Sequence, residues 1–175
     1  MKSKEVYDIL IRYLVIFLSA LPHFWIFYFI FTPLTIYPVY FLLKIFFDVS
    51  LSGNIISVSD YSIEIINACV AGSAYYALLV LNLSIPKIKI KKRIKMLLFA
   101  FVSLLTINIL RILFLSILWV SGSSFFDITH KLFWYFLSTI FVVLIWFTEV
   151  RIFKIKEIPF YSDLSHLFKH SILKK

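Results

Sequence analysis

The sequence predicts an all-α, polytopic integral membrane bundle of about four to five membrane helices, with a short extracellular β-hairpin-like segment. Three observations predict it. The chain of 175 residues is 62% hydrophobic and only 15% charged, against about 25% charged in ordinary soluble domains. Its mean hydropathy is +0.96. Several apolar runs approach or exceed the ~20 residues that cross a bilayer. The net charge of +9 gathers in loops and tails, where Lys and Arg mark the cytoplasmic side. Nucleic acid is not needed to explain it. A single cysteine excludes an internal disulfide and any multi-cysteine metal site. No metal site or cofactor is expected.

The elements follow in order within one membrane domain, residues 1–175. Residues 1–12 form a short basic cytoplasmic N-terminus with Lys2, Lys4 and Arg12. Residues 13–31 read as the first helix. The run is too long for a signal-peptide core and lacks a clear small-x-small cleavage site, so it is expected to be retained. Pro22 should kink it, because proline removes a helical hydrogen bond. His23 then reads as packing. Residues 33–50 carry Pro33 and Pro38, with Lys44 and Asp48 four apart on one helical face. They read as a re-entrant or short interfacial helix.

Residues 53–68 change character. Ile55-Ile56-Ser57-Val58 and Tyr61-Ser62-Ile63-Glu64-Ile65-Ile66 flank Ser59-Asp60, which reads as two strands around a tight turn. Bare strands leave backbone groups unpaired in lipid, so this hairpin belongs at the outer surface. Residues 69–86 are the next span, ended by Pro86. Residues 87–95 hold Lys87, Lys89, Lys91, Lys92, Arg93 and Lys95, the strongest mark of the cytoplasmic side. Such a cluster can also bind anionic lipid. Residues 96–119 run outward, 120–127 form an outer loop, 128–150 return, and 151–175 form a basic cytoplasmic tail.

That topology gathers polar residues in the outer half of the membrane. Cys69 begins a helix among the small residues Ala68, Ala71, Gly72 and Ser73, which allow close helix approach. Arg111 lies inside an apolar span, where a guanidinium costs at least ~2.5 kcal/mol and normally faces a cavity or partner. Asn108 is one turn away on the same face. His130 opens the last helix. Asp127, three residues earlier, can cap that helix and orient the imidazole.

Cys69, Arg111 and His130 thus come from three different helices. Together they suit acyl transfer. An imidazole takes the thiol proton. A fixed guanidinium stabilises the oxyanion formed on an amide carbonyl. The imidazolium then protonates the leaving amine.

These residues bring a family into view. Ala68-Cys69 opens a helix after a short outer segment, and a basic loop ends in Lys92-Arg93. Asn108-Ile109-Leu110-Arg111 lies in the next helix, and His130 starts the last. Over roughly residues 53–150 the chain resembles the exosortase/archaeosortase family of membrane-embedded cysteine enzymes.

The resemblance implies cleavage of C-terminal sorting tails from exported proteins. The new carboxyl end would then pass to an acceptor, membrane lipid among the candidates. It also implies Cys69 as nucleophile, His130 as acid/base and Arg111 as oxyanion stabiliser; the helix spacing adds Asn108 and Asp127 in support. One position departs from the pattern. The family places glycine two residues after the cysteine, and here Ala71 stands there with Gly72 following.

A second reading makes the chain a non-catalytic membrane subunit, such as a small transporter component or assembly factor. Arg111 would then bind an anionic group and Cys69 would be filler. The sorting motif, the acceptor, the balance of hydrolysis against transfer and the oligomeric state are not written in the sequence.

Overall fold

A computed structural model describes residues 3–163 and 165. It is predominantly helical. In chain order come α1 (Ser3–Ala20), α2 (Trp25–Lys44), β1 (Val49–Ser52), β2 (Ile55–Val58), β3 (Tyr61–Glu64), α3 (Asn67–Val70), α4 (Gly72–Leu83), α5 (Ile90–Val120), α6 (Phe126–Leu132) and α7 (Ser138–Ile152). A π-helical turn, Phe133–Leu137, joins α6 to α7.

Three helical stretches are long and apolar enough to cross a membrane, namely Trp25–Lys44, Ile90–Val120 and Phe126–Ile152. At 1.5 Å per residue α5 extends about 46 Å, well beyond a hydrocarbon core of ~30 Å. Large apolar side chains stand exposed along these helices, Phe29, Phe41, Leu98, Leu110 and Phe147 among them. Lipid is the solvent that tolerates such a surface.

The first third of the chain differs from the sequence reading. Residues 13–31 are not one kinked helix. α1 ends at Ala20 and α2 starts at Trp25, with His23 and Phe24 between them in the left-handed region. Two residues at positive φ turn the proline kink into a full break. Nor do residues 33–50 form a separate short helix. Pro33 and Pro38 lie inside the continuous α2, and only the last two residues of that stretch belong to β1. Lys44 and Asp48 do not share a helical face, since α2 stops at Lys44. The ammonium instead lies 5.7 Å from the Tyr40 ring centroid.

The predicted hairpin is present with one strand more. β1, β2 and β3 form an antiparallel meander in that order. Val49 faces Val58 in one pair, and Ile55 faces Glu64 in the other. Ile56 and Val58 are fully buried, so one face of the sheet joins the core. Gly53 takes φ +60 in the first turn, a conformation that costs glycine little. The Tyr61 ring meets Trp119 edge-on at 6.1 Å, which fixes the sheet against the end of α5.

The core lies between α2, α4 and α5. Phe31 stacks on Tyr75 at 3.6 Å, and Phe101 meets both edge-on. Gly72 admits the α2 helix. A Cβ there would stand 2.6 Å from the Tyr28 ring.

The opposite end of α4 is held by charge. Its last carbonyls have no partner within the helix and are buried, so they need donors from elsewhere. Arg12 donates to Leu83 O at 2.7 Å. Arg93 donates to Asn82 O, and to Ile85 O at 2.9 Å. Cations suit a helix C-terminus for the added reason of its dipole. Two basic residues expected in solvated segments therefore point inward. The basic run 87–95 is also less of a loop than expected, because α5 begins at Ile90. The other basic side chains there are exposed.

Asp163 completes this end, accepting from both Arg12 Nη1 and Nη2 at 2.9 Å. Asn82 Nδ2 donates to the buried Glu149 at 3.1 Å, linking α4 to α7. Asp163→Ala should destabilise the protein by about 1.5–3 kcal/mol, because the buried guanidinium loses two charge-assisted bonds and keeps only the more exposed Asp8 carboxylate, 3.0 Å from Nε. Thermal unfolding in detergent measures this, and an unchanged midpoint would contradict it. Residues 1–2, 164 and 166–175, parts of the expected cytoplasmic termini, lie outside the described residues.

Candidate active site

Cys69 sits on α3, a helix of a single turn. The chain arrives from the sheet through Ile66, which is extended at φ −86, ψ 168. It leaves through Ala71, whose φ of 61 and ψ of 42 stop α3 and let α4 begin at Gly72. This is the position at which the sequence departs from the family pattern. The backbone there is one that glycine favours and a β-carbon resists. Ala71→Gly is expected to stabilise the protein by about 1 kcal/mol, through relief of that resistance. A rise in the thermal midpoint would show it, and a fall would mean that the Ala71 methyl packs more than it strains.

The break at Ala71 releases the Cys69 carbonyl. In an unbroken helix the amide four residues on would bond to it. Here two side chains of α5 do so instead. Asn108 Nδ2 donates at 2.9 Å and Arg111 Nη2 at 3.0 Å. Asn108 is buried. Arg111 Nη1 also donates to Ser138 Oγ at 3.2 Å. Ser138 Oγ in turn donates to Phe133 O at 2.7 Å. That carbonyl also takes the Ser138 amide across the π turn. The π turn, a feature common at functional sites, thus sets where Ser138 meets the guanidinium. Arg111 holds Cys69 on one side and the last helix on the other. A guanidinium carries five N–H donors, and Nε, buried, has no partner among the described residues.

His130 lies on α6 between two aromatic rings. Phe126 stacks on it at 5.5 Å with 12° between the planes, and Trp134 meets it at 6.1 Å. These neighbours, one turn before and one turn after, restrict the imidazole. Asp127 does not. It is exposed, and α6 has no side-chain cap, its N-cap residue being Phe125. No hydrogen bond or ion pair links Asp127 to His130 among the described residues. An acidic residue three positions before a histidine can reach it on a helix, but here the two side chains make no bond among the described residues.

Cys69, Arg111 and His130 line one cavity of about 290 Å³. Ser62, Ile63 and Glu64 of β3 form one wall. Trp119, Phe126, Phe133 and Trp134 form another. The lining is largely apolar with a few polar groups, the usual make-up of a ligand site. No hydrogen bond joins the thiol to the imidazole among the described residues. Such contacts often tighten only when substrate is present.

Several site residues escaped the sequence reading. Ser116 lines the cavity, is 3% exposed, and its Oγ has no partner among the described residues. A signal for it existed. Leu104, Asn108, Ile112 and Ser116 recur every four residues along the buried stripe of α5. Ser138 gave no such signal, because its role depends on the π turn.

Scans of protein-family models, of curated proteins and of solved structures found no match for this chain.

Proposed function

We propose that this chain is a sortase-like membrane cysteine transpeptidase or protease. It acts on C-terminal sorting tails of exported proteins and passes the new C-terminus to a membrane or surface acceptor. One observation carries the reading: a lone cysteine, an intramembrane arginine and a histidine, from three separate helices, line one cavity. The resemblance of these residues to the exosortase/archaeosortase pattern supports it further. In this reading α1 and the α3–α4 pair accompany the three long helices in a bundle of four to five membrane helices. Residues 87–95 face the cytoplasm, by the Lys/Arg rule, and the cavity faces outward.

The chemistry runs as follows. The Cys69 sulfur attacks the scissile carbonyl and its proton passes to His130. The carbon–sulfur bond forms as the carbonyl π electrons move to oxygen. Arg111 stabilises that oxyanion with donors not spent on Cys69 O and Ser138. Collapse expels the tail amine, protonated by His130, and leaves a thioester. Water or an acceptor nucleophile then resolves the thioester and frees the thiol.

The same Arg111 contacts favour a second reading. A guanidinium bonded to a main-chain carbonyl and a serine can serve architecture alone, as in a non-catalytic membrane subunit. Mass spectrometry of protein isolated from cells that export tailed substrates separates the two. A hydroxylamine-labile adduct on Cys69, lost in His130→Ala, is the expected result. Its absence from wild-type protein would favour the non-catalytic subunit. A membrane-impermeant thiol reagent should also reach Cys69 in sealed cells. Labelling only after permeabilisation would invert the topology.

A further inference from the structure

We propose that β3 is the strand on which the substrate is laid. An extended peptide pairs through its main chain with the free edge of Tyr61–Glu64 and so presents its scissile bond to Cys69. The inference rests on the reading of Cys69 as a nucleophile toward peptides. It adds the mode of recognition, and it stands on the sheet rather than on the three reactive residues.

The sheet order leaves β3 with one partner, β2. Ile65 N donates to Asn54 O at 2.9 Å, and this bond sets the phase of the strand. Main-chain groups alternate in direction along an antiparallel strand. Those of Ile63 and Tyr61 therefore turn toward β2, with Ile65. Those of Ser62 and Glu64 turn outward. No hydrogen bond among the described residues uses them. An edge of this kind is a template for another strand.

The cavity lies against that edge. Successive side chains of a strand point to opposite faces. A cavity over one face of β3 would meet Ser62 and Glu64 and miss Ile63. All three line the cavity of Cys69, so it meets the strand edge-on. An extended peptide suits such an edge, since it offers N–H and C=O along its own. The recognition is strand addition, in which main-chain bonds supply affinity and side chains add selectivity.

The test uses the purified full chain and acetyl-tetraalanine chloromethyl ketone, whose methyl side chains leave the backbone as the main recognition element. The Cys69 sulfur displaces chloride, forming a carbon–sulfur bond, while the thiol proton passes to buffer. Two isomers of the reagent are N-methylated, one at its first and third residues and the other at its second and fourth. Each alkylation rate is divided by the same reagent's rate with glutathione, which removes intrinsic reactivity.

Strand pairing uses every second N–H, so one isomer should label Cys69 about tenfold more slowly than the other. Ser62→Pro sets a ring on the outward edge in the path of an incoming strand, without touching the bonds to β2, and it should erase the difference between the isomers. Equal rates for the two isomers with wild-type protein would overturn the proposal. So would a disulfide cross-link between two copies through Ser62→Cys in a Cys69→Ser background, because the edge would then belong to a second copy. Failure of the nucleophile reading looks different. Normalised alkylation by 2-chloroacetamide would be no faster than glutathione and indifferent to His130→Ala, while the isomers could still differ.

Discussion

Cys69→Ser is expected to abolish tail removal and leave the protein folded. The thiol is half-buried at the cavity wall, and oxygen for sulfur removes little volume. The substitution keeps the main-chain carbonyl that Asn108 and Arg111 hold, so the contacts between α3 and α5 persist. What is lost is the reactive atom. A serine hydroxyl is far less ionised than a thiol near neutral pH, and no second nucleophile replaces it. Membranes carrying the variant should accumulate unprocessed substrate by immunoblot. Its thermal midpoint should lie close to that of wild type, because the change is nearly isosteric at a half-buried position on the margin of the core. Normal processing by this variant would sink the enzyme reading and promote the non-catalytic subunit.

Arg111→Lys should lower kcat by on the order of 10²–10³, the cost of losing an oxyanion donor in a preorganised site. Lysine keeps the charge but not the planar fork. One ammonium cannot reproduce the paired geometry in which Nη2 bonds Cys69 O and Nη1 bonds Ser138 Oγ. The carbonyl still has Asn108, which limits the structural damage. Two measurements separate catalysis from architecture. A large loss of kcat with a small change in thermal midpoint indicates oxyanion stabilisation. A large fall in midpoint with near-normal turnover assigns Arg111 to holding α3, α5 and the last helix together.

Much of the architecture was legible because lipid imposes strong rules on sequence. The long apolar runs of α5 and of α6 through α7 were readable from length and hydropathy, since the spanning backbone must be bonded within its own segment. The β2–β3 turn was readable from local alternation. The first third was harder. Proline reads as a breaker, yet Pro33 and Pro38 sit within α2, while the break before α2 came from His23 and Phe24 at positive φ. Neither residue type announces that conformation. β1 was hidden because four residues acquire a strand identity only by pairing with β2.

The sequence by itself determined that a cysteine, an arginine and a histidine lie on three separate apolar helices. Intramembrane charge is expensive enough to stand out in any reading of Arg111. The tertiary structure decided what those groups touch. It spends Arg111 on a carbonyl freed by the left-handed turn at Ala71. It holds His130 by aromatic rings instead of Asp127, and it turns Arg12 and Arg93 inward onto the end of α4. The three arginine placements depend on which buried carbonyl lacks a donor. That is settled by where helices break and pack, and no single segment carries it.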